Sequence, residues 1–285
     1  MHIYLMSGWL VGLVGRKHRY RSTAYKLYCW SSALIPKPGD WPEHISISGF
    51  FFRDAPIYDP PKRLQAFLDD GPPPVYIGFG SIVLEDPTSI SKAVVDAVHT
   101  CGQRAIIARG WSKLDGPAHP KLYWLDDDCP HEWLFKHVSM VVHHGGAGTT
   151  AVGLKEARPT IIVPFFGDQP FWSSMVAAAG AGPEGIPQKQ LTADKLAEAI
   201  DFCTRQETQE AARTMASQIH KDDGVYEAVR SFHANSPIDR LKCDMFRDQP
   251  AVWTLKLGGK RVQISNVAAG ILVKDTGLDA KNLAM

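Results

Sequence analysis

From residue 75 onward the chain alternates short apolar runs with segments whose apolar residues recur at helical spacing. Residues 75–79 (VYIGF), 104–108 (RAIIA), 121–125 (KLYWL), 139–143 (SMVVH) and 160–164 (TIIVP) each predict a strand. Between the first two, Ile90, Ala93, Val94, Ala97 and Val98 mark a helix that starts around Asp86, Pro87 and Thr88. A short helix is predicted over 130–135, a helix over 149–156 and another over 170–179. Thr192 is placed to cap a helix running to about Arg205, with Leu191 and Leu196 at hydrophobic-staple spacing. Two further helical stretches reach about His233. Strands that are apolar along their whole length belong to a sheet covered on both faces, and strand–helix alternation makes that sheet parallel. Right-handed crossovers then give an α/β, doubly wound, Rossmann-like architecture.

The flanks read differently. Residues 31–61 are rich in proline and aromatics, which suits an ordered linker or edge segment and not a helix. In the tail, LKLGGKRVQI predicts a hairpin turning at Gly258-Gly259. The expected division is therefore 1–61 as N-terminal segment and linker, 62–236 as the α/β domain, and 237–285 as a C-terminal extension. The first 15 residues are mostly apolar and are followed by Arg16, Lys17, Arg19 and Arg21. That run is short of the roughly 20 residues a spanning helix needs, and it lacks the flanks of a signal peptide. It reads as an irregular N-terminus or as a membrane-surface anchor.

Composition narrows the classes. The chain has 285 residues, 45% of them apolar, with 31 Lys+Arg against 30 Asp+Glu and a net charge of +1. That balance suits a globular protein and argues against nucleic acid as a partner. Five cysteines without a CxxC pair exclude zinc-ribbon and redox-dithiol patterns, so a reduced, cytoplasmic compartment is expected, with peripheral membrane contact as the alternative.

Ligands of a doubly wound sheet bind beyond the carboxyl ends of its strands, and three such ends carry unusual residues. The strongest is VVHHGGAGTT, residues 141–150. Its glycines allow close backbone approach, and a helix predicted to open at Thr149-Thr150 offers free amides and a partial positive charge. Together these predict an anion site, most naturally for phosphate, with His144 at its entrance. Gly146-x-Gly148-x-x-Ala151 also matches a dinucleotide fingerprint, but Asp168 falls in a loop and not at a strand end. No lysine follows the glycines, so a P-loop is excluded. His143 is expected to point away from the site as a satisfied core histidine.

The second end is PFFGDQP, residues 164–170. Asp168 either caps the helix that follows, or joins Gln169 in binding sugar hydroxyls. The third is GFGS, residues 78–81, where the turn at Gly80 and Ser81 could face a phosphate. His131, in PHEW after another strand, either faces a nucleoside or is structural. Despite eleven histidines, no HxH, HxxxH or HExxH spacing exists, so no metal is expected.

In this order, GFGS, PHEWLF, HHGGAGTT and GDQ resemble the UDP-glycosyltransferases of GT-B fold, in their donor-binding C-terminal half, most nearly the fungal sterol 3-beta-glucosyltransferases. SSALIPKPGDWPEHISISGFFF is similar to the segment joining the two domains of that family, which makes the N-terminal part a linker remnant. CDMFRDQPAVW resembles the C-terminal extension of fungal members. The resemblance covers roughly residues 28–275. It implies that Gly80, Ser81, Gly146, Ala147, Gly148 and Thr149 meet a pyrophosphate with His144 beside them, that His131 lines the uridine pocket, and that Asp168 and Gln169 hold the hexose. Many plant relatives carry a ribose-binding glutamate where this chain has Val152, so the resemblance implies that ribose contacts come from elsewhere.

The implied activity is metal- and cofactor-independent, inverting transfer of a hexose, expected to be glucose, from a UDP-sugar to a sterol or other lipid or small-molecule hydroxyl. The family's acceptor pocket and general base lie in an N-terminal half that the 27 residues before Tyr28 do not resemble. Two alternatives follow: a non-catalytic UDP-sugar-binding fragment, or a donor subunit whose partner chain supplies the acceptor site.

Overall fold

The structure, a computed structural model, describes residues 25–126, 128–235 and 241–284. The apolar and basic N-terminal stretch lies outside the described residues. A three-residue parallel pair, β1 (Lys26–Tyr28) and β2 (Ile45–Ile47), opens the chain. Next come α1 (Lys62–Asp69), β3 (Val75–Gly78), α2 (Pro87–Thr100), β4 (Ala105–Ala108) and β5 (Leu122–Leu125). A short α3 (His131–Leu134) precedes β6 (Met140–His143), α4 (Ala147–Lys155), β7 (Thr160–Ile162) and α5 (Gln169–Ala178). Helices α6 (Ala193–Thr204), α7 (Gln206–Ile219) and α8 (Gly224–Asn235) follow. The chain divides within α8 into two compact units, the first ending at Ser231 and the second beginning at Phe232.

The first unit is built on a parallel sheet of order β5-β4-β3-β6-β7. Apart from His143 and Thr160, its strands carry no strongly polar side chain, because both faces are covered. Val75 and Ile77 point toward Val94 and Ile200, from α2 and α6, while Tyr76 points toward Leu64 of α1 and Leu134 of α3. A third cluster gathers α4, α5 and α7 with the linker. There Trp172 meets Trp30 and Phe50 at ring-centroid distances of 6.3 and 6.1 Å, and Tyr28 stacks between Trp30 and Trp41. The linker is thus part of a core.

Cap signals act as expected at two helices. The Asp86 carboxylate accepts from the Ser89 amide, and the Thr192 hydroxyl accepts from the Lys195 amide. The helix after the glycines starts at Ala147, two residues earlier than the sequence suggested. Gly146 takes the cap position, with the Thr150 amide donating to its carbonyl at 2.9 Å. The small residues 147 and 148 adopt helical geometry because first-turn amides need no partner four residues back.

The second unit is a hairpin of β8 (Trp253–Leu257) and β9 (Lys260–Ile264), extended by β10 (Leu283–Ala284) and covered by α9 (Asn266–Thr276). The hairpin turns at Gly258 and Gly259, both in the left-handed region. No described helix is long and apolar enough to cross a membrane.

Candidate functional site

Between β3 and β6 the strand order reverses, since β4 and β5 lie on one side and β7 on the other. That reversal opens a crevice at the carboxyl ends of the strands. Gly78 of β3 sits opposite His143 of β6, so the turns that follow these two strands are neighbours. A cleft of about 1130 Å³ lies there. Its walls are the turn after β3 (Gly80, Ser81), the turns after β4 and β5 (Gly110, Trp111, Asp126, Asp128), the start of α3 (Pro130, His131, Glu132) and the first turns of α4 (Ala147, Gly148, Thr149, Val152). Linker residues 50–53 close it.

The phosphate end is built by glycines. Gly80 turns at φ +61, and its carbonyl accepts the Trp111 amide at 3.1 Å. Gly145 turns at φ +92, where an added Cβ would stand 2.8 Å from Ile162 Cγ2. No side chain caps α4, so the amides of Ala147, Gly148 and Thr149 are free for a ligand. His144 lies between the two turns. A Cβ added at Gly80 would be 3.3 Å from its Cε1, and one added at Gly146 would be 2.7 Å from its Nε2. Its Nδ1 is buried without a hydrogen-bond partner, which leaves the ring one bond short. Burial lowers its pKa from the ordinary histidine value, and Asp168 acts the other way.

At the other end, His131 stacks on Phe135 with centroids 4.6 Å apart and shares a 3.1 Å hydrogen bond with the Tyr76 hydroxyl. Burial lowers its pKa, while Glu132 pulls it up. Glu132 takes a bidentate grip from Arg53 of the linker, at 2.6 and 3.0 Å. That hydrogen bonding holds its carboxyl below the usual range.

Of the residues singled out in the sequence, Gly80, Ser81, His131, Ala147, Gly148 and Thr149 line one cleft. His144 and Gly146 adjoin it through the glycine turns. Asp168 and Gln169 sit in a turn packed on Gly145, where the Gln169 Cβ would meet an added Gly145 Cβ at 3.1 Å. They are not among the cleft-lining residues. Asp168 occupies the cap position of α5, but its carboxylate accepts from the Trp172 indole at 2.9 Å and not from a helix amide. Gln169 is buried, and its carbonyl oxygen accepts from the amides of Phe165 and Phe166, at 2.7 and 3.1 Å. Only its amide nitrogen is left for a ligand. His143 corrects the expectation of a satisfied core residue. Its Nδ1 accepts from the Gly145 amide at 2.9 Å, yet its buried Nε2 has no partner. Among the described residues no group of three or more His, Cys, Asp or Glu side chains could hold a metal ion.

Residues 117–231 match the family model described as "Erythromycin biosynthesis protein CIII-like, C-terminal domain". A sterol 3-beta-glucosyltransferase of Arabidopsis thaliana is 45% identical over 212 residues, which cover 74% of this chain and 33% of the relative. Sterol 3-beta-glucosyltransferases of Leptosphaeria maculans and Yarrowia lipolytica are 36% and 38% identical, with 16% and 15% of their lengths covered. The likeness is thus at least as strong to plant as to fungal relatives, which widens the fungal leaning of the sequence reading. The chain spans about a third of the plant relatives it matches. Among solved structures, the calicheamicin glycosyltransferase aligns at TM-score 0.59 and 18% identity, over 75% of this chain and 53% of that one. A UDP-glucose:anthocyanidin 3-O-glucosyltransferase in complex with UDP also aligns at 0.59, with 17% identity, over 74% and 52%.

Proposed function

Because this chain carries an EryCIII-like C-terminal domain on the doubly wound half of a GT-B glycosyltransferase fold, we propose that its cleft binds a UDP-sugar. The diphosphate lies against the amides of Ala147, Gly148 and Thr149, with His144 and the Ser81 turn beside it. The nucleoside extends toward His131, and Asp168 with the Gln169 amide nitrogen reaches the hexose. The observation that carries this reading is the meeting of two glycine turns at the switch point of the sheet, next to an uncapped helix start and an unpartnered histidine nitrogen.

The reaction served is inverting transfer of a hexose, glucose in our reading, to a sterol or other hydroxyl. Negative charge grows on the departing UDP as the glycosidic bond breaks, and prearranged amides plus His144 stabilise it without a metal. The nucleophilic hydroxyl needs a base within reach, which in this reading comes from an acceptor half or a partner chain that faces the cleft. The five free thiols suit a reducing, cytoplasmic setting.

Isothermal titration with UDP, UDP-glucose and NAD tests the reading. UDP and UDP-glucose are expected to bind and NAD is not. Binding of NAD without UDP would return the glycine motif to its dinucleotide interpretation.

A further inference from the structure

His143 closes β6, and its ring is fully buried. Its Nδ1 accepts the Gly145 amide hydrogen at 2.9 Å. A nitrogen that accepts carries no proton, so the neutral ring holds its proton on Nε2. That Nε2 is buried and finds no acceptor. An unsatisfied buried donor destabilises a fold, and an apolar residue here would avoid it. The position therefore keeps an unfavourable group in exchange for one bond, to the amide of Gly145.

That amide belongs to the tightest part of the site. Gly145 sits at φ +92 against Ile162 and Gln169, so its turn has little room to shift. Gly146 comes next and caps α4, and the three free amides follow. The direction of those amides is set by how the chain leaves β6.

We propose that His143 is a positioning residue for the diphosphate. Its Nδ1 anchors the Gly145 amide, and that anchor aims the first turn of α4 at the ligand. This rests on reading the cleft as a diphosphate site. It differs from the role given to His144, which faces the anion itself.

The two nitrogens of His143 can be separated by substitution. An asparagine side-chain oxygen can occupy the place of Nδ1, whereas a glutamine oxygen reaches farther out, toward the place of Nε2. We expect H143N to bind UDP within about twofold of the unaltered chain. H143Q and H143L lose a bond worth up to about tenfold in affinity, while uridine affinity stays unchanged in all three. Gly145 amide exchange in the ligand-free protein, followed by NMR, should speed up about tenfold in H143Q and H143L and stay slow in H143N. Urea midpoints, recorded alongside, confirm that each variant is folded. The proposal is overturned if H143N loses as much as H143Q, if UDP and uridine weaken equally, or if Gly145 exchange is the same in all variants. An unaltered chain that takes up no UDP overturns the diphosphate reading instead, and the ligand-free exchange still decides the anchor.

Discussion

A neutral imidazole and a charged one bind a diphosphate differently, and burial decides which of them His144 presents. With its pKa held below the ordinary histidine value, His144 is neutral in the free protein near pH 7. A bound diphosphate favours the protonated ring, so binding takes up a proton and tightens as pH falls from about 8 toward 6. A hydrogen bond to a charged group contributes about 1.5–3 kcal/mol. His144→Ala is therefore expected to weaken UDP by about 10- to 100-fold and uridine hardly at all, and His144→Gln should flatten the pH dependence. Titration calorimetry at pH 6 and 8 checks both, and equal losses of UDP and uridine would remove the contact with phosphate. At this scale the sequence was only partly legible. Glycines next to a histidine pair predict an anion site, because few other uses suit that composition at a strand end. The partition between the two histidines could be read from the strand alternation, but the bond from His143 to a residue two positions on, and the unpartnered Nε2 it leaves, could not. Gln169 was hidden for a similar reason: a side chain that ties down the amides three and four residues earlier looks, in sequence, like one that faces a ligand.

Among the elements, the five sheet strands could be read because parallel strands buried on both faces are unbroken apolar runs. The pair β1 and β2 could not, because three residues in each strand are too few to show a period. Helix α9 has a cap signal at each end. Ser265 caps it by accepting the Ala268 amide at 3.1 Å, and Gly277 ends it in the left-handed region. Its apolar residues lack a clear stripe, however, since it packs on a small sheet and leaves Val267 and Ile271 exposed. Helix α5 shows how packing and site are joined. Trp172 is 2% exposed, sits among the linker aromatics and holds Asp168 through its indole nitrogen. Trp172→Ala is expected to lower the unfolding free energy by about 3–5 kcal/mol, measured by urea titration. A loss below about 1 kcal/mol would mean that this aromatic cluster contributes little.

Across the first unit, four histidines with lowered pKa values set the response to acid. His131, His137, His143 and His144 all have lowered pKa values, chiefly through burial, His143 the most. The unfolded chain binds their protons near the ordinary value of about 6.5, and the folded chain does not. Stability is thus fully present above that value and is lost as pH falls below it. The lowered carboxyls of Asp115 and Glu132 act in the same direction, but only below the ordinary carboxylate range. The urea midpoint is therefore expected to drop between pH 7.5 and 5.5, where the histidines alone change, and a flat profile would show that they stay accessible to protons.

The seam of Tyr28, Trp30 and Trp41 has a consequence for how this protein can be divided. The sequence pattern draws a border near residue 62, where α1 begins, but Trp172 of α5 rests against Trp30 and Phe50 on the far side of that border. The upstream strip is thus a keystone, not a tether. An excision made at that border would strip one side from the helices that follow the glycine turns.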